Sequence, residues 1–394
     1  MEGSRRIATL TADGDDGWEV FHRARALVAA GVAITELTIG EHDIRTDSSI
    51  LAAMDSSARG GHTGYAAIPG TPSFRAAIAE RVTKRTGVPT GPENVLVTPG
   101  GQAALFAAHM GAVDHGEAAL HCDPYYATYP GTIRAVGAVP GIVHCHAEDR
   151  FLPTWDALEA ALASAPCRVR SLLINTPNNP TGVIYPPETL DIIARFCRKH
   201  DLWLISDEVY DTQIWEGAHL SPRALPGMVE RTLVIGSMSK SHAMTGARCG
   251  WVVGPERMIG DLTTLATHTN YGVPGFIQDA SVFALQQGEG LEHEVFAPFK
   301  RRREKALARL SQQQCVGVIH PEGAMYVMLD VRGTGMSGEA FANLALDTHR
   351  IAVMPGESFG HAAAGHIRVA FTVEDEALIC ALDTLLALAA AQRV

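Results

Sequence analysis

Between residues 90 and 255 short apolar runs alternate with helical patterns, and few architectures accept that alternation. The runs are "NVLVT", "EAALHC", "GIVHC", "VRSLLIN", "LWLIS", "TLVIG" and "GWVVG". Helical patterns such as 154–164 and 187–200 separate them. Strands joined by helices predict an α/β fold with a mainly parallel sheet covered on both faces. Ligands of such sheets bind beyond the carboxyl ends of the strands, so the residues just after each run matter most. The tail reads differently. A long helix around 294–312 precedes strand candidates "AMYVMLD" and "HIRVAFT", and "DEALICALDTLLALAAAQRV" is an amphipathic helix. This predicts a smaller α+β domain, with the acidic stretch 11–19 and "ELTIGEHD" packing against it.

Charge excludes several functions. The formal net charge of −11 argues against a nucleic-acid surface. The one basic run, "KRRREK" at 300–305, reads as the solvated face of a helix. No run approaches the ~20 apolar residues of a membrane span, and the N-terminus lacks a signal-peptide core. The seven cysteines are scattered without a CxxC pair, as expected of reduced thiols in a cytoplasm. His144 and His146 flank Cys145, but no further ligands stand at a metal-site spacing, so no metal is expected.

The chain uses arginine 27 times and lysine five times. Four of the lysines have basic neighbours in polar, helix-like sequence; Lys240 stands among Ser, Met, Ala and Gly just after "TLVIG". Four other strand ends or turns are also polar. "PGGQAAL" follows "NVLVT", where glycines opening a helix offer bare amides and a positive helix end to a phosphate. "TPNNPTG" follows "VRSLLIN" as a rigid loop with two asparagines. Asp207 ends "LWLIS" as a poorly hydrated carboxylate expected to need a cationic partner. Arg248 follows eight residues after Lys240. A lysine with little water becomes a nucleophilic amine. An amine, a phosphate seat and a buried carboxylate on one sheet edge suit pyridoxal phosphate.

"NNPTG", "SDEVY" and "SMSKSHAMTGARCGW", in this order and spacing, resemble the signature of class I/II aminotransferases, and the likeness runs from "LTIGEHD" to "HIRVAFT". The resemblance implies a fold-type I pyridoxal-phosphate (PLP) transferase. It implies a seven-stranded large domain (47–293), a small α+β domain (294–394) and an N-terminal segment (1–46) packing with the latter. It further implies a homodimer with shared active sites. Residue by residue, Lys240 matches the Schiff-base lysine and proton carrier. Asp207 matches the partner of the pyridinium nitrogen. Tyr210 and Asn179 match donors to the ring oxygen. Ser237, Ser239 and Arg248 match phosphate ligands, with the backbone of Gly101 and Gln102. Tyr126 matches the aromatic stacked on the ring, and Tyr65 the tyrosine that reaches the partner subunit's phosphate. Arg368 matches the clamp on the substrate α-carboxylate, which Gly40 would let the backbone approach.

Three departures bear on specificity. "GEHDI" stands where the family often has "GEPDF", placing His42 and Asp43 near the substrate mouth. "TGAR" replaces "TGWR", so Ala247 leaves a gap. His268 occupies the place of an arginine that aspartate-specific members use for the distal carboxylate, which makes an acidic donor less expected. Within the family the motifs look most like arginine–pyruvate aminotransferases. A related reading is an aminotransferase for a cyclised arginine derivative, 2-ketoenduracididine, in antibiotic biosynthesis. A guanidinium side chain needs an acidic partner, and the N-terminal candidates are Asp15, Asp16, Glu19, Glu41 and Asp43. An arginine oxidase or hydroxylase, or a C–S lyase, would use the same Lys240 and Asp207. A PLP-binding regulator would need a DNA-binding domain, for which the ~40 residues before the family-like region are too few.

Overall fold

The computed structural model describes residues 3–11 and 17–393. Asp15 and Asp16 lie outside the described residues. Twelve strands are seen among the described residues, β1 (Thr35–Leu37), β2 (Val95–Thr98), β3 (Ala118–Asp123), β4 (Val139–His144), β5 (Val169–Asn175), β6 (Trp203–Asp207), β7 (Thr232–Ser237), β8 (Gly250–Val253), β9 (Gly317–Ile319), β10 (Tyr326–Asp330), β11 (Ile351–Pro355) and β12 (His366–Ala370). They form two sheets. The seven-stranded sheet has the order β2-β8-β7-β6-β5-β3-β4. Its pairs from β7 through β6, β5 and β3 to β4 are parallel; β8 runs antiparallel to both β7 and β2.

β2, β3, β7 and β8 are buried at every position, which explains their unbroken apolar runs rather than an alternating pattern. On one face of this sheet the helices Gly101–Ala112 and Glu256–Thr267 pack with Leu96, Leu233 and Val252. On the other, Pro187–Lys199 and Trp155–Ser164 cover Leu172 and Leu204. The chain has an α/β fold of the expected kind.

The second sheet has the order β1-β11-β12-β10-β9. β1 joins it through parallel pairing of Thr35–Leu37 with Ile351–Val353. Residues from both ends of the chain therefore share one sheet. The helices Glu289–Leu310 and Asp375–Ala391 cover it.

The basic run 300–305 differs from its expected solvated face. Arg302 is 2% exposed and grips Asp43 (2.8 and 2.6 Å) and Asp375 (3.2 Å). Arg303, also buried, donates to the Pro321 carbonyl and pairs with Glu216. Two of these arginines are structural ties, because a charge withdrawn from water needs fixed partners. His144 and His146 are both exposed while Cys145 between them is buried.

Several histidines are buried as neutral rings. Burial pushes His109 and His242 down to about 3 and His121 down to about 4. Neither ring nitrogen of His109 has a partner among the described residues. His219 opposes them, its pKa raised by Glu208 at 3.0 Å against the effect of burial. A depressed histidine binds its proton earlier in the unfolded chain. Stability from these sites is therefore complete above pH 6.5 and drains as pH falls toward 4, at up to about 1.4 kcal/mol per pH unit per group. Urea unfolding at pH 7.5 and 5.5 should show a drop, and His109→Leu should flatten that slope by about one proton.

Candidate active site

Three consecutive parallel strands deliver the central groups. β5 ends in Asn175 and leads into the loop carrying Asn179; β6 ends in Asp207; β7 ends in Ser237 and turns into Met238–Ser241, which carries Lys240. Parallel pairing sets Asn175 opposite Asp207, so the register places these two ends at one level. Together with Gly40, Gly101, Gln102, Tyr126, Tyr210, Ser239, Arg248 and Arg368 they enclose a cavity of about 270 Å³.

Asp207 is buried, and its Oδ2 accepts from the Tyr129 hydroxyl at 2.7 Å. No cation stands at ion-pair distance from it among the described residues, so no side chain there supplies the cationic partner that Asp207 is expected to need. Burial pushes its carboxyl up to about 6, against the pull of Tyr129. Lys240 faces the same cavity and donates to the Gly40 carbonyl. Burial brings its amine down to about 8, opposed by the charge of Glu41 and helped by Arg368 and Arg248. Two groups with pKa values displaced toward each other are a mark of proton-handling sites.

At one end of the cavity the helix Gly101–Ala112 begins after Gly100, whose φ of +83° suits glycine. Its first-turn N–H groups have no partner within the helix. The Arg248 guanidinium lies against Gly100, near enough that a Cβ there would stand 2.4 Å from its Nη2. Ser237 and Ser239 hydroxyls meet at 2.9 Å beside it. The Gln102 side chain is held by Thr132 and Thr128, leaving its backbone to face the cavity. This is a seat for a dianion. At the other end Arg368, fully buried, is sandwiched between the rings of Tyr326 (4.3 Å) and Phe359 (4.4 Å). It donates to Asn179 Oδ1 at 2.6 Å and to the Thr38 carbonyl, and its Nε has no partner among the described residues.

The site thus has an anion seat, a flat aromatic wall in Tyr126, an amine, and a buried carboxylate lacking a cation. These residues fit pyridoxal phosphate, whose protonated ring nitrogen would supply the charge that Asp207 lacks.

A family model for aminotransferase class I and II matches residues 32–385. The chain belongs to this family. It is a PLP-dependent aminotransferase of fold type I. It is similar to the arginine–pyruvate transaminase AruH of Pseudomonas aeruginosa, 39% identical over 369 residues, which are 94% of this chain and 93% of the relative. It also resembles the aspartate/prephenate aminotransferase of Thermus thermophilus, at 33% identity over 92% of each chain. Among solved structures, aspartate aminotransferase from Thermus thermophilus with maleate superposes with a TM-score of 0.91 at 32% identity, covering 98% of this chain and 100% of that one. An aromatic aminotransferase from Pyrococcus horikoshii superposes with a TM-score of 0.87 at 30% identity, covering 94% and 99%.

Of the residues matched to catalytic, cofactor-binding or α-carboxylate roles, all but Tyr65 line the cavity, whereas His42, Asp43, Ala247, His268 and Glu19 do not. Tyr65 is 90% exposed and meets Tyr271 edge to face, away from this chain's own cavity. His268 is likewise exposed, at the end of Glu256–Thr267. Gly40 has a nearer reason than substrate approach: a Cβ there would fall 1.7 Å from the Tyr326 hydroxyl. That hydroxyl in turn meets the Tyr210 hydroxyl at 2.9 Å. Sequence reasoning passed over Tyr129, Tyr326, Asn175 and Trp18, all of which line the cavity. Tyr129 stood in view three residues after Tyr126 in "DPYYATYP". Its helix-opening position turns it under Tyr126, with ring centroids 5.7 Å apart.

Tyr129→Phe removes one hydrogen bond to a buried charge. The apo protein should lose about 1–3 kcal/mol in urea unfolding at pH 7.5, and less near pH 5, where Asp207 becomes protonated.

Proposed function

We propose that the enzyme moves an amino group between L-arginine, or a guanidino or cyclic arginine derivative such as enduracididine, and a 2-oxo acid such as pyruvate, in a ping-pong cycle. The cavity's charge inventory carries this reading. Its basic residues are Lys240, Arg248 and Arg368, and each has a place at the reacting centre, the anion seat or the α-carboxylate. The acids are Asp207 and Glu41. Asp207 is tied to Tyr129, whereas Glu41 is exposed at the rim and, among the described residues, accepts from Thr245 at 3.1 Å. The wall thus offers a spare negative charge to a distal side chain. The likeness to the Pseudomonas arginine–pyruvate transaminase points the same way. Of the other acidic candidates, Asp43 is committed to Arg302, and Glu19 opens the helix Glu19–Ala29.

In this reading pyridoxal phosphate, when bound, supplies the electron sink that lets the substrate α-proton leave. Asp207 keeps the ring nitrogen protonated. Ser237, Ser239, Arg248 and the first amides of Gly101–Ala112 hold the phosphate. Tyr126 packs on the ring; Asn179 and Tyr210 donate to its oxygen. Arg368 forks onto the α-carboxylate, its guanidinium plane fixed by Tyr326 and Phe359. Lys240, as a poorly hydrated amine, moves the proton.

Residues 47–293 form the large domain and 294–394 the small one, with the N-terminal segment packing against the latter, which the pairing of β1 with β11 supports. Two chains pair through the groove of about 980 Å³ beside the cavity. That groove carries Phe106, Leu262 and Leu265 and reaches Asn270, next to the Tyr65–Tyr271 pair. Tyr65 would then serve the partner's phosphate seat.

Anaerobic addition of L-arginine should bleach the visible absorbance of the cofactor-loaded protein, and pyruvate should restore it. Bleaching that reverses only on admitting air would overturn transamination of arginine. Lys240→Ala should abolish the cycle. Arg368→Lys should lower kcat/KM for amino and oxo acids alike by about 10²-fold, since a point charge cannot make the paired hydrogen bonds.

A further inference from the structure

The segment from Gly40 to Thr46 runs as a strap along the turn that carries Lys240, tied to it at successive residues. The Gly40 carbonyl accepts from Lys240 Nζ. Glu41 accepts from Thr245 Oγ1 at 3.1 Å. His42 Nε2 lies 3.1 Å from the Lys240 main-chain carbonyl, and Thr46 Oγ1 donates to the Ala243 carbonyl at 2.6 Å. The strap's remaining tie leads elsewhere. Asp43 is held in a fork by Arg302, at the centre of Glu289–Leu310, and Arg302 also donates to the Phe371 carbonyl just beyond β12. One seven-residue segment therefore links the helix over the small sheet to the catalytic lysine.

His42 is the residue at which this strap departs from the proline of "GEPDF". A carbonyl can only accept, so Nε2 carries the proton and Nδ1 is a bare acceptor. That Nδ1 is shut off from solvent without a partner among the described residues. The ring stands edge-on to Phe299, 5.2 Å between centroids at 82°, which fixes its plane. A proline has no donor and could not make this bond. The charges facing the pair are Lys240 and Asp43 about His42, and Glu41, Arg368, Arg248 and Asp207 about Lys240. Burial and the neighbouring Lys240 hold the His42 ring neutral, with a pKa near 3. The ring therefore acts as a donor, not as a charge, throughout the working pH range.

We propose that His42 is a positioning residue for Lys240. Its N–H fixes the main chain of the lysine turn, and the Asp43–Arg302 fork refers that position to the small domain. The amine is then presented to the cofactor aldehyde from a backbone held at both ends. The inference is independent of which amino acid the enzyme uses.

Two readouts need no amino donor. One is the rate at which the apo protein captures added pyridoxal phosphate. The other is the pH midpoint of the bound cofactor's visible absorbance band. His42→Ala should slow capture about tenfold, as misplacing a reacting group by an ångström or less does. It should also move the band midpoint. His42→Gln, whose amide N–H reaches the same carbonyl, should recover most of both. Asp43→Asn, which weakens the far anchor and leaves His42 in place, should shift both in the direction of His42→Ala. Thermal melting monitors folding; if His42→Ala does not fold, the Gln and Asn variants decide. The proposal fails if His42→Gln is no better than His42→Ala, or if Asp43→Asn leaves capture rate and band midpoint at wild-type values.

Discussion

Asp207 stands at the end of an apolar strand, withdrawn from water, with a tyrosine hydroxyl at 2.7 Å and no cation in reach among the described residues. A carboxylate in that position is costly unless something positive approaches it. The protein meets half of that requirement with Tyr129 and the Val209 amide at 3.3 Å, and the carboxyl still titrates near 6. A protonated pyridine nitrogen would meet the other half. Cofactor affinity and cofactor electronics thus share one cause. The same burial that unsettles Asp207 also lowers Lys240. The two groups stand at the ends of adjacent parallel strands, so one feature of the sheet sets both.

Arg368 poses the complementary problem on the small sheet. It lies on β12, between β11 and β10, with two aromatic faces and two oxygens about it but no carboxylate within ion-pair distance among the described residues. Burial lowers its pKa, as it must for a guanidinium facing no anion. The large sheet holds an unpaired negative charge and the small sheet an unpaired positive one, with the cavity between them. A zwitterionic amino acid joined to a cationic ring would relieve both together. The strap at 40–46 is the piece of chain that crosses this gap, which gives its ties to Lys240 and to Arg302 a common purpose.

Much of this was legible in the sequence where burial is continuous. β5, β6 and β7 read as unbroken apolar runs because both faces are covered, and their polar ends announced the site. β9 and β11 were not singled out: "GVI" is too short to show a period, and "IAVMP" ends in a proline that reads as a turn. The buried arginines of "KRRREK" were misread because Arg302's main partner, Asp43, lies 259 residues away, and no local pattern reports such a pairing. Tyr129 was hidden for a similar reason. Tyr-Pro-Gly looks like a turn, and only the folded helix brings its hydroxyl to Asp207.

Solved relatives whose names specify aspartate and aromatic aminotransferases superpose on this chain with TM-scores of 0.91 and 0.87, although their side-chain chemistry differs sharply. Fold and reaction centre are therefore separable from side-chain recognition. In the proposed reading the reaction needs Lys240, Asp207, Arg368 and the anion seat, which lie on strands or on the turns and helix start that adjoin them, where hydrogen-bond ladders fix them. In the same reading, recognition of the distal side chain falls to Glu41, exposed at the cavity rim on the N-terminal segment. It sits on a connection, where substitutions disturb little packing. One fold thus carries relatives named for different amino acids, so the core that specifies the sheet does not by itself specify the donor.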